Sequence, residues 1–348
     1  MKQIILAMAD LFSQGQSFAL ATVISRLGSA PRSAGARMLI RMDGSAVGTV
    51  GGGILEAQVE QLARQVMASH QGVVMGFSFS GEDAASMDAI CGGQVEVLVE
   101  WLDATDPQET AMVAGMTAAA AGHGAVWLAT GLPGGKYAGK HALLDAGGSV
   151  TGYLPLGLDV QPLIDKQVRG PQLFKLDEGE GWVEPLDMGG TVFIFGAGHV
   201  SRSLAGFTRA VGFHTVVLDD RSEYPTPERF PGADELIVLD SFEGALEKVR
   251  VERDSYIVIV TRGHLHDQVV LAQALRTQAV YVGMIGSRRK CGLIFDALRK
   301  EGFTDEDIHR VHAPIGLPIQ AETPEEIGVS IVAEMIQVRA ETGKSTRV

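Results

Sequence analysis

The residues that could do chemistry in this chain lie in short segments flanked by glycines. The segment FIFGAGHVSRSLA carries Gly196, Gly198 and Ser201 in the spacing of a dinucleotide-type turn between a strand and a helix. Gly196 would allow the tight turn, and Gly198 would let a pyrophosphate approach the backbone. His199 would then open a helix whose free amides attract an anion, with the small Ser201 standing where such turns usually place a third glycine. Asp219 closes the next apolar run, at the position where a carboxylate would bond a ribose hydroxyl.

Two later segments carry polar side chains at equivalent strand ends. In TRGHLHD (261–267), His264, His266 and Asp267 could serve as metal ligands, acid–base groups or ligand donors. The plainer alternative is a helix cap with two solvent-facing imidazoles. In GSRRK (286–290), Ser287 can cap a helix whose first turn carries Arg288, Arg289 and Lys290. Cations oppose the dipole there, so a nearby phosphate or carboxylate is expected. The rigid loop His312–Pro318 could wall a pocket or only pack the last helix.

The first half offers weaker candidates. Arg32 and Arg37 could form an anion-binding pair. Gly51, Gly52 and Gly53 lead into a helix and could expose amides to a second anion, unless Glu56 merely complements that helix's dipole. Cys91, followed by two glycines, could contact a soft metal, carry sulfur as a persulfide, or be a structural thiol. Cys291 falls in a predicted helix and reads as packing.

The elements that must position these residues divide the chain. Residues 17–26, 36–41, 46–49, 73–79 and 94–101 read as strands, 54–69 and 107–121 as helices, and short strands are expected between 126 and 153. Leu55, Val59, Leu62 and Val66 share one helix face. The prolines, glycines and charges of 159–190 place a domain boundary in this stretch, near 187–190, between an α+β domain of residues 1–187 and a second domain of 188–348. In the second, strands at 191–195, 215–219, 236–239, 256–261 and 280–285 alternate with helices near 200–210, 242–250, 267–276 and 288–300. That alternation predicts a Rossmann-like parallel sheet, so the fold class is α/β. A last helix is expected over 324–340, capped by Thr323.

Composition narrows the function. The chain has 348 residues, a formal net charge of −13 and two cysteines. The charge argues against nucleic-acid binding. So few cysteines make no disulfide framework and suit a reducing cytoplasm. No apolar stretch approaches the roughly 20 residues of a membrane span, and Asp10 breaks the apolar start too early for a signal peptide.

Taken in order, GSAPRSAGARMLI (28–40), GTVGGGILEA (48–57), CGGQVEV (91–97), FIFGAGHVS (193–201), VVLDDR (216–221), TRGHLHD, MIGSRRK (284–290) and PIGLPIQAETPEEIGVSI (314–331) resemble the XdhC/CoxI family of accessory factors for molybdenum hydroxylases. The resemblance implies an XdhC-type α+β domain followed by a Rossmann domain. It implies binding of molybdenum cofactor, as molybdopterin or its dinucleotide, and help with its sulfuration and its insertion into an apo molybdenum hydroxylase of the xanthine, aldehyde or CO dehydrogenase type. A cysteine desulfurase would supply the sulfur, Cys91 would be the molybdenum or sulfur contact, and a homodimer is compatible. The chain would then be a cofactor carrier more than a turnover enzyme. Two alternatives stay open: an NAD(P)-dependent oxidoreductase with His264 or His266 as its acid–base group, and a nucleotide-binding scaffold without chemistry.

Overall fold

The computed structural model describes residues 1–28, 32–78, 93–121, 126–145, 148–153, 171–176, 178–186 and 189–344, with side chains through Glu341. The chain forms two compact units, Met1–Asp187 and Met188–Val348.

The N-terminal unit holds two antiparallel sheets. The first is built from β1 (Phe18–Leu27), β2 (Arg37–Ile40), β3 (Ala46–Gly48), β4 (Val73–Ser78) and β5 (Gln94–Leu102), in the order β3-β2-β1-β5-β4. Leu55, Val59, Leu62 and Val66 of α2 (Gly53–Ser69) form the apolar stripe that covers one face, against Ala19, Ala21, Val23, Val97 and Val99. Strand alternation sends Thr22 and its cross-strand partners Arg37 and Leu98 to the other face. The second sheet comprises β6 (Val126–Gly131), β7 (His141–Asp145), β8 (Val150–Gly152), β9 (Gln172–Leu176) and β10 (Gly179–Pro185), ordered β8-β7-β6-β10-β9. Ile24 and Leu98 of the first sheet cluster with Leu132 and Trp182 of the second. Two helices complete the unit. α1 (Lys2–Ser13) buries Ile4, Ile5, Met8, Leu11 and Phe12, and α3 (Pro107–Ala120) starts at an Asp106 cap with proline behind it.

Two strands here were not expected from the sequence: β9 and β10 pair as antiparallel neighbours, and β10 is an interior strand of its sheet. Gly179 and Gly181 and the terminal Pro185 mask a strand whose buried face needs only Trp182 and its neighbours.

The second unit is a parallel sheet of β11 (Thr191–Phe195), β12 (His214–Asp219), β13 (Glu235–Val238), β14 (Tyr256–Ile259), β15 (Tyr281–Met284) and β16 (Val311–His312), ordered β13-β12-β11-β14-β15-β16. Both faces are covered, as parallel sheets require. Phe193 and Phe195 pack toward α5 (His264–Ala274) and α6 (Arg288–Lys300). Val192 and Ile194 pack toward α4 (His199–Ala210) and α8 (Pro324–Lys344). A short α7 (Asp305–His309) precedes β16, and a reciprocal pair of bonds between Thr323 and Glu326 starts α8. The helix expected over 242–250 is only a 3₁₀ turn, Ala245–Lys248, because Gly244 enters it in the left-handed region. Among the described residues no helix is long and apolar enough to cross a membrane.

Candidate functional site

The strand order of the parallel sheet reverses between β11 and β14, so its ligand crevice is expected at the carboxyl ends of those strands. Gly196 follows β11 at φ +109°, and a Cβ there would come within 2.5 Å of the Val260 carbonyl oxygen. Ser201, fully buried, donates its hydroxyl to the Gly196 carbonyl and so ties the turn to the first turn of α4. Gly198 is the N-cap of α4, and a Cβ on it would meet nothing within 4 Å. No side chain caps that helix start, and His199 beside it is exposed. The turn therefore offers an open approach to a helix N-terminus, which suits an anion.

Asp219 does not play the part expected of it. It is 1% exposed, and both its oxygens are engaged inside the chain. Oδ2 accepts from the Ala197 amide at 2.7 Å and from Arg221 Nη2 at 2.9 Å. Oδ1 accepts the Arg221 amide at 3.0 Å and Nε at 2.8 Å. A buried carboxylate must be paired, and the arginine two residues on supplies the partner that a ribose hydroxyl would have been. Arg221 is further fixed over the Tyr224 ring, 3.5 Å from its centroid, with Arg229 at 4.4 Å.

The neighbouring loops follow the same rule. Arg262 forks onto Asp220, with Nη2 to Oδ2 at 2.7 Å, and this bond holds the Asp220 carboxyl below its ordinary range. Asp267, fully buried, accepts the Thr261 amide at 3.2 Å and hydroxyl at 2.6 Å on one oxygen and the Lys290 ammonium on the other. Lys290 is thus spent inside the fold and is not part of an open cationic triplet. Ser287 caps α6 through the Lys290 amide at 3.2 Å. Arg288 and Arg289 remain exposed, with no ion pair among the described residues. His264 is exposed, and His266 is half-buried with its ring 5.1 Å from Phe242. Among the described residues no group of three or more His, Cys, Asp or Glu is placed to hold a metal ion.

The N-terminal candidates separate. Cys91 lies outside the described residues. Arg32 is exposed, whereas Arg37 is 5% exposed and ion-paired with Glu184, so the two make no anion-binding pair. At Gly51–Gly53 the anion is already present. Glu56 Oε1 accepts the Val50 amide at 3.2 Å, the Gly52 amide at 2.9 Å and the Thr49 hydroxyl. Burial alone would raise this carboxyl, but the Thr49 hydroxyl and the loop amides outweigh it and hold it below its usual range. An external anion at that loop would have to displace Glu56.

A set of charges that the sequence did not point to lies inside the N-terminal unit. Glu100, Glu109, His141 and Glu184 join Arg37 below a tenth exposed. His141 Nε2 is 2.9 Å from Glu100 Oε2, and its Nδ1 is 3.9 Å from Glu109 Oε1. Burial brings the Arg37 guanidinium down to about 10, and lifts the Glu109 carboxyl to about 7. Along β5, Glu100 is in phase with the exposed Glu96, so alternation alone does not mark it as buried. The useful signal was an arginine inside the apolar run ARMLI.

Known proteins share this plan. Residues 192–335 match the XdhC Rossmann domain, and residues 11–77 match the XdhC and CoxI family. The chain is 28% identical to a probable xanthine dehydrogenase subunit of Bacillus subtilis (strain 168), over 95% of this chain and 96% of that one. It is 21% identical to the molybdenum cofactor insertion chaperone PaoD of Escherichia coli (strain K12), over 95% of this chain and 86% of that protein. It is 27% identical to the Escherichia coli (strain K12) protein YqeB over 95% of its own length, but spans only 45% of that relative. A crystal structure of a xanthine dehydrogenase from Bacillus halodurans superposes with a TM-score of 0.79 at 26% identity, covering 98% of this chain and 97% of the other.

Proposed function

The chain belongs to the XdhC and CoxI family, and from that premise we propose that it is an accessory factor that binds molybdenum cofactor and assists its sulfuration and insertion into an apo molybdenum hydroxylase. The observation that carries this reading is the uncapped start of α4 behind the open Gly198, at the reversal point of the sheet. A phosphate or pyrophosphate of the cofactor fits there, because the helix dipole and free amides favour an anion and no side chain fills the approach. The exposed Arg288 and Arg289 at the start of α6 add positive charge at the carboxyl end of the neighbouring strand. The names of the relatives from Bacillus subtilis and Escherichia coli point to the same cargo and the same class of client.

On this reading the molybdenum cofactor is cargo, held until a client accepts it, with a cysteine desulfurase as sulfur donor and Cys91 as the sulfur or molybdenum contact. The NAD(P) alternative is weakened by Asp219, whose two oxygens are occupied by Arg221 and Ala197. A dinucleotide in the usual pose would require Arg221 to leave.

The test is anaerobic purification with molybdenum and pterin assayed per chain, followed by transfer to an apo hydroxylase. The wild-type chain should retain cofactor and raise hydroxylase activity. Gly198→Val should keep the fold and lose most of the cofactor, and Cys91→Ala should lower activation with retention intact. A chain that neither retains molybdenum and pterin nor stimulates the client would overturn the assignment.

A further inference from the structure

We propose that two arginine–aspartate pairs, Arg221 on Asp219 and Arg262 on Asp220, close the nucleoside side of the Gly196–Gly198 turn, so that the site takes a ligand ending in a phosphate monoester and rejects the corresponding dinucleotide. The proposal rests on the cofactor-carrier reading for the natural ligand, and makes that ligand molybdopterin in preference to its dinucleotide.

The first observation is topological. β12 and β14 flank β11 in the sheet, and Phe195 is in register with Leu218 on one side and Ile259 on the other. Neighbouring strands lie about 4.8 Å apart, so the ends of β12 and β14 are about 10 Å apart with the end of β11 between them. Asp220 directly follows β12, and Arg262 lies in the loop after β14. Their forked bond, Nη2 to Oδ2 at 2.7 Å and Nη1 to Oδ1, therefore spans the end of β11. It is a strap across the strand from which the glycine turn departs.

The second observation is chemical. In the usual dinucleotide pose the acid that ends the second strand takes a ribose hydroxyl. Asp219 holds that place, but its oxygens carry Arg221 and the Ala197 amide. Asp219 is 1% exposed, so withdrawing Arg221 would strand a desolvated carboxylate. The bonds to Asp219 raise the Arg221 guanidinium above its ordinary value, and those to Asp220 do the same for Arg262. Both pairs must open before a nucleoside can lie along the end of β12.

A phosphate monoester needs neither pair to open. It reaches the start of α4 past Gly198, where a Cβ would meet nothing within 4 Å. Arg229 stands beside this approach, donating to the Ala197 carbonyl at 3.4 Å and lying over the Tyr224 ring that also holds Arg221. Arg221 and Arg262 are neutralised by Asp219 and Asp220, which leaves Arg229 as the uncompensated cation of the five. A monoester carries about −1.5 to −2 charges at neutral pH, against one for each internal phosphate of a dinucleotide. The spare cation suits the monoester.

The test measures two ligand pairs on the full chain, each a monoester and its dinucleotide: molybdopterin with its dinucleotide form, as bound pterin after anaerobic ultrafiltration, and reduced nicotinamide mononucleotide with NADH, by their fluorescence. The wild type should prefer each monoester by about tenfold or more, the consequence of breaking at least one ion pair. Asp220→Ser/Arg262→Ser removes the strap without leaving a lone charge. It should gain about tenfold in dinucleotide affinity while monoester affinity stays within twofold. Arg262→Lys, which keeps the pair, should keep the preference. Arg221→Gln should gain NADH further, with thermal melting reporting whether it stays folded. Equal wild-type affinity for both members of a pair, or a preference that survives the double substitution, would overturn the proposal. Cofactor retained alike in both forms would sink the strap and leave the carrier reading standing. A chain that retains neither form, yet gains NADH on loss of the strap, would sink the carrier reading alone. No gain of NADH in that case would sink both.

Discussion

At the strand ends of the parallel sheet, acids find their bases two residues on or on another strand-end loop: Asp219 with Arg221, and Asp220 with Arg262. Inside the N-terminal unit the partners come from distant strands, Arg37 with Glu184 and Glu100 with His141. The first arrangement leaves its arginines partly exposed, with side chains at 26% and 39%; the second hides both members of each pair, at 5% or less. Charges near solvent can exchange partners or turn to a ligand at modest cost. Charges between two sheets cannot, because either member left alone is a desolvated ion. The parallel-sheet crevice thus suits an anion that arrives and leaves, and the buried layer suits a fixed join between the two sheets.

The largest expected effect breaks the buried side of this comparison. Arg37→Met should destabilise the N-terminal unit by about 3–5 kcal/mol, because Glu184 is left unpaired in the interior. The double variant Arg37→Met/Glu184→Leu should recover most of that loss, since apolar replacement of a whole buried pair is often neutral. Urea unfolding of both variants checks this. A single variant as stable as the wild type would mean that water reaches the pair and that the two regions do not differ as described.

A smaller effect sharpens the other side. Gly196→Ala should cost about 2–4 kcal/mol, combining left-handed strain with overpacking against the Val260 carbonyl. Gly198→Ala, with open space at its Cβ, should cost about 1 kcal/mol or less as a poorer N-cap. Thermal melts compare the two. If Gly198→Ala proves as damaging as Gly196→Ala, the approach to α4 is closed and the anion reading fails with it.

The same contrast explains what could be read from the sequence. Gly196, Gly198 and Ser201 act within one turn, so their spacing announced the Rossmann unit, and the apolar runs of β11, β12, β14 and β15 announced its sheet. Asp219 was located correctly at a strand end, but its engagement by Arg221 depends on side-chain direction, which spacing does not encode. In the N-terminal unit the strands β1, β2, β4 and β5 were legible from apolar patterning, whereas β9 and β10 were hidden by glycine, proline and charge. The buried layer joins residues from β2, β5, α3, β7 and β10, and no local pattern links them. Glu100 even keeps the phase of a solvated residue. Long-range pairing of polar groups is set by how the two sheets pack, and a linear reading has no access to that.

The remaining effect on stability concerns Glu109 and separates the two regions by pH. Burial lifts its carboxyl from 4.5 to about 7, against the pull of His141 and the Asp103 amide, with Asp106 and Glu100 adding to the rise. Below pH 4.5 the group is protonated whether the chain is folded or not. As pH rises toward 7 the unfolded chain ionises first, so stability falls through that window and levels off above it. The loss should be at most about 3–3.5 kcal/mol, from roughly 1.4 kcal/mol per pKa unit. His141, whose pKa is also raised, with Glu100 overcoming the effect of burial, loses its contribution in the same direction. Glu109→Gln cannot ionise, so its stability relative to the wild type should improve between pH 5 and pH 8, as urea midpoints would report. A constant difference across that range would mean that Glu109 is already ionised in the folded chain at pH 5, and that the interior of the N-terminal unit solvates charge as freely as the mouth of the parallel sheet.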